Sequence, residues 1–116
     1  MSSSVDHGVL VVTVHQDPGR SGETPLFTRI GDLVSAHRPA AVVVVLDRPA
    51  SAGAALSVVL RVHGLCSGLG ILMSVATGSA PARRALHAAA DRTGVRLVVH
   101  ARRHTAVTGT AFAAAA

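Results

Sequence analysis

A chain of 116 residues has room for one domain, and 49% hydrophobic residues give it a sizeable core to bury. Aromatic residues make up only 2%, so that core is built from Val, Leu, Ile and Ala, without the stacking surface that nucleobases and sugars favour. All eleven basic residues are arginine and the net charge is +5, yet Arg83-Arg84 and Arg102-Arg103 are isolated pairs with no interleaved aromatics, which argues against direct nucleic-acid binding.

In chain order, GVLVVTVH (8–15) is rich in β-branched residues and apolar on both faces, which predicts a buried strand. QDPGRSGE (16–23) is dense in turn formers and predicts a loop. Thr24 then caps a helix with Pro25 at its first position. Leu26, Ile30, Leu33 and Val34 form its apolar face, and it ends near His37-Arg38-Pro39. AAVVVVL (40–46) is too short for a helix and reads as a central strand covered on both faces. Residues 52–66 read as a helix with Leu56, Val59, Leu60 and His63 aligned, closed by Gly68 and Gly70. ILMSVAT (71–77) is the next strand. Ser79 caps the helix APARRALHAAADRT, with Pro81 in its tolerant first turn and Gly94 at its stop. VRLVVHA (95–101) is the last predicted strand.

This alternation predicts a single α/β domain over residues 8–101: a mostly parallel sheet of about four to five strands packed by three to four helices. Residues 1–7 read as a flexible N-terminus, and 102–116 as a tail or short helix.

Residues with chemistry are few. Seven histidines show no close pair at ligand spacing and no acidic cluster beside them, so no metal is expected. His63 reads as a hydrogen-bonded core or boundary residue, while His15 and His100 end strands and His87 reads as exposed. Cys66 has no cysteine to pair with and reads as a small buried thiol. MSSSVDHG lacks both the basic start and the apolar run of a signal peptide. Residues 62–82 carry no charge, but glycines, a proline and hydroxyl residues interrupt them. They read as core and not as a membrane span, and a cytoplasmic location is expected.

Ser51 stands where the valine strand hands over to a helix, and three roles compete for it: helix cap, nucleophile or phosphoryl acceptor. A hydrolase nucleophile calls for Gly-x-Ser-x-Gly, whereas the chain has PASAG (49–53). GRSGET (19–24) lacks the lysine of a phosphate-binding loop. No catalytic residue and no cofactor is therefore assigned.

With these elements in this order, the chain resembles the STAS domain family, which includes bacterial anti-sigma factor antagonists. The matching stretches are ASAGAAL (50–56), SAPARRALHAAADRTGV (79–95) and PLFTRIGDLVSAHRPAAVVVVLD (25–47). Ala50 stands where the family usually has an acidic residue, and an early strand is missing or shortened. The resemblance implies a regulatory protein-binding module, a kinase substrate and not an enzyme. Its implied partner is an anti-sigma factor or serine kinase, and Ser51 is the implied phosphorylation site. Asp47, Ala50, Ser51, Ala52, Gly53 and Ala54 are the implied partner-binding residues. Two other readings stay open: a degenerate, unphosphorylated STAS-like scaffold in a signalling complex, and a small α/β enzyme or ligand-binding domain.

Overall fold

The computed structural model describes residues 1–47 and 53–115. Among these residues five strands and four helices follow in the order β1 (Ser2–Asp6), β2 (Val9–Val14), α1 (Gly19–His37), β3 (Ala41–Leu46), α2 (Gly53–Gly68), β4 (Leu72–Thr77), α3 (Ala80–Thr93), β5 (Val98–His100) and α4 (Arg103–Ala115). The sheet order follows the chain, β1-β2-β3-β4-β5, with β1 antiparallel to β2 and every other pairing parallel. The expected α/β domain with a mostly parallel sheet is therefore present.

The valine-rich strands are two-sided because both faces of the sheet are covered. Leu10, Val12, Val14, Val42, Val44, Leu46 and Val75 point toward one cluster, where Ile30 and Val34 of α1, Val58, Val59 and Val62 of α2 and Leu86 of α3 meet them. The alternate residues Val9, Val11, Ala41, Val43 and Ala76 form a second cluster under Ala106 and Val107 of α4. The segment 102–116, read as a tail or short helix, thus supplies the helix that seals the second face. At its centre the buried hydroxyls of Ser74 and Thr110 meet at 2.6 Å.

Three boundaries differ from the sequence reading. The segment 1–7, read as flexible, carries β1, and no residue of that strand is buried. The turn at His7 and Gly8 holds it: both have positive φ, as a two-residue hairpin turn of type I′ requires. The loop predicted over 16–23 becomes helix from Gly19, because the Asp17 carboxylate accepts the Gly19 N–H at 3.1 Å and stands in for the missing cap. Thr24 is consequently inside α1, where its hydroxyl accepts from Arg61 of α2 at 3.2 Å, and Pro25 is interior as well. Finally, β5 is shorter than 95–101, since the Val95 N–H bonds back to Ala90 O at 2.9 Å as part of the α3 cap.

Other signals hold as read. Ser79 accepts the Ala82 N–H at 3.2 Å with Pro81 in the first turn. Gly94 closes α3 at φ 71°, and Arg38 closes α1 in the left-handed region.

The Ser74–Thr110 bond gives a test of how α4 is fixed. Ser74→Ala alone strands the Thr110 hydroxyl, and urea unfolding should show a loss of about 1–3 kcal/mol. Adding Thr110→Val should return most of it, and a double variant as unstable as the sum of both singles contradicts this packing.

Candidate functional site

Parallel pairing sends β2, β3 and β4 out of the sheet on the same edge, where ligands of open α/β sheets usually bind. Val14 pairs with Leu46, and Asp47 N donates to Val14 O at 3.1 Å, so the ladder continues one step past the strands. His15 and Asp47 therefore emerge side by side. Because β1 runs antiparallel, its beginning lies at this edge too, with Ser2 opposite Thr13.

Those three residues form one hydrogen-bonded chain. His15 Nδ1 lies 2.7 Å from Asp47 Oδ2, and His15 Nε2 lies 3.0 Å from Ser2 Oγ. A carboxylate only accepts, so Nδ1 carries the proton and donates to Asp47. In the neutral ring Nε2 is then an acceptor, and the Ser2 hydroxyl donates to it. The His15 and Asp47 side chains are 50% and 47% exposed, so the chain of bonds is open to solvent. It borders an open hollow of about 530 Å3 whose lining includes Met1, His15, Asp17, Pro18 and Leu26.

A second network adjoins it. Asp17 Oδ1 accepts the Ala55 N–H at 3.0 Å while Oδ2 accepts the Gly19 N–H. One carboxylate thus satisfies a backbone donor in the first turn of both α1 and α2, where the helix dipoles favour negative charge. The α2 amino end is therefore not bare.

Of the predicted site residues, Asp47, Gly53 and Ala54 lie at this edge and reach the surface, and a side chain added at Gly53 would meet nothing within 4 Å. Ala50, Ser51 and Ala52 lie outside the described residues. Sequence reasoning missed Ser2 and Asp17 and treated His15 only as a strand end. The signal was there for His15: each of two adjacent parallel strands ends its apolar run in a polar residue, Val14-His15 and Leu46-Asp47, which register makes neighbours.

Among the described residues no buried side-chain nitrogen or oxygen lacks a hydrogen-bond partner. His63 Nε2 donates to Arg96 O at 2.9 Å, the boundary role expected of it, and Arg83 Nη1 donates to Thr77 O at 2.9 Å. Cys66 is buried in the core, and burial pushes its thiol up to about 11, so it stays protonated at neutral pH. Among the described residues no group of three or more His, Cys, Asp or Glu is placed to hold a metal ion, and no helix is long and apolar enough to cross a membrane.

The double cap is open to direct test. Asp17→Ala leaves two partly buried N–H groups without an acceptor and should cost about 1–3 kcal/mol in chemical unfolding. Asp17→Asn keeps an acceptor and should cost less; a change within about 0.5 kcal/mol for the alanine variant contradicts the capping role. Comparison with known proteins gives no match: no family model, no curated protein and no solved structure is similar to this chain.

Proposed function

We propose that this chain is a regulatory protein-binding module resembling an anti-sigma factor antagonist. Its partner is an anti-sigma factor with serine kinase activity in the bacterial cytoplasm, and Ser51 is the residue whose phosphorylation switches binding. The observation that carries this reading is the position of α2, whose amino end follows the carboxyl end of the central strand β3 on an edge open to solvent. The small residues Gly53 and Ala54 let a partner's backbone come close, with open space above Gly53.

The switch works by charge. A phosphoserine brings about −1.5 to −2 charges at neutral pH. The α2 dipole attracts that charge, but the Asp17 carboxylate already takes the Ala55 N–H and Asp47 precedes the same segment. Phosphate on Ser51 thus adds negative charge to the segment that Asp47 precedes and α2 follows. A partner packed against it meets both the bulk and the repulsion. A loss on the order of 1–3 kcal/mol there is a five- to hundred-fold change in affinity.

The test is to incubate the protein with its cognate serine kinase and ATP, then map the label by mass spectrometry and measure partner affinity. The expected result is phosphate on Ser51, with Ser51→Asp weakening the partner complex by about five- to hundred-fold and Ser51→Ala binding at full strength. An unlabelled Ser51 with full affinity in Ser51→Asp leaves a constitutive scaffold instead.

A further inference from the structure

The bonds joining Ser2, His15 and Asp47 have the order and polarity of a nucleophile, a base and a carboxylate that orients the base. We propose that they make Ser2 an acyl-accepting serine toward activated esters, an activity that does not use Ser51.

Each group has a role set by its geometry. Asp47 accepts the Nδ1–H at 2.7 Å, which holds the imidazole in one tautomer and one orientation. That leaves the lone pair of Nε2 facing Ser2 Oγ at 3.0 Å, inside the range in which a general base takes a hydroxyl proton. Ser2 is exposed, so an ester reaches it without any rearrangement of the fold. The adjoining hollow, with Met1, Pro18 and Leu26 in its lining, gives an apolar acyl or aryl group somewhere to lie.

In the reaction Ser2 Oγ attacks the ester carbonyl carbon and forms the new C–O bond while its proton passes to His15 Nε2. The tetrahedral adduct collapses by breaking the bond to the leaving oxygen, which departs with the proton from Nε2. Ser2 is left as its ester. Water then attacks that ester with His15 again as base, and releases the acid and free Ser2.

The substrate class follows from what surrounds the relay. The Gly19 and Ala55 N–H groups, backbone donors at the two adjacent helix starts, both point to Asp17 and are not free to stabilise an oxyanion. Esters with a good leaving group need that help least, whereas amides need it most. The relay is therefore matched to activated esters and not to peptide bonds.

The strand carries its own controls. Ser2, Ser3 and Ser4 are consecutive, but only Ser2 is bonded to an imidazole; Ser4 Oγ lies 3.4 Å from Arg103 Nη2. The full chain is treated with p-nitrophenyl acetate, and acetylation at each serine is followed by peptide mapping. The expected result is acetyl on Ser2 about a hundred-fold faster than on Ser3 or Ser4, at a rate that rises as the imidazole loses its proton. His15→Gln, at an exposed position that leaves the core intact, should bring Ser2 down to the rate of its neighbours. Asp47→Asn should lower the rate and move its pH profile, which a purely structural Asp47 would not do. Equal acetylation of the three serines, or a Ser2 rate unchanged in His15→Gln, overturns the proposal. His15→Gln leaves both Ser51 and Asp47 in place, so kinase labelling and partner affinity of that variant report separately on the binding role.

Discussion

The in-register parallel pairing of β2 with β3 is the constraint on which the rest of the molecule depends. Six consecutive pairs, from Val9 with Ala41 to Val14 with Leu46, fix how far each strand extends. A slip by one residue would turn Leu10, Val12 and Val14 away from the helices and set Val9 and Val11 in their place. Burial on both faces thus locks the register at both ends. Past its carboxyl end the same register delivers His15 to Asp47, and the Asp47 N–H to Val14 O.

That edge concentrates charge that the core cannot hold. Asp17 and Asp47 sit there for different physical reasons. Asp17 satisfies backbone donors of two helices, which ties α1 and α2 together at their starts, whereas Asp47 is tied to an imidazole and remains half in water. Farther along the same two helices, Arg61 donates to Thr24 and lies 4.4 Å from the centre of the Phe27 ring. These contacts join α1 to α2 at more than one point along their length.

The strands β2, β3 and β4 and the helix α3 were legible because each carries a local signal that tertiary packing reinforces. The valine run of β3 has no alternative to burial, and Ser79, Pro81 and Gly94 mark both ends of α3 by mechanisms confined to a few residues. What escaped was non-local. SSSVD carries no buried residue and becomes a strand only by pairing with β2. The start of α1 rests on Asp17, whose second partner lies 38 residues away in α2. The candidate site shows the same division: Asp47, Gly53 and Ala54 follow from the strand-to-helix handover, whereas the meeting of Ser2 with His15 needs the hairpin as well as the parallel ladder.

The tautomer of His15 tests this register most directly. An imidazole free in water prefers its proton on Nε2, so the alternative is informative. Long-range proton–nitrogen NMR spectra of the neutral ring should place the proton on Nδ1, with that preference lost in Asp47→Ala. A ring protonated on Nε2, or one whose tautomer ignores Asp47, would contradict the pairing of the two strand ends on which the whole edge is built.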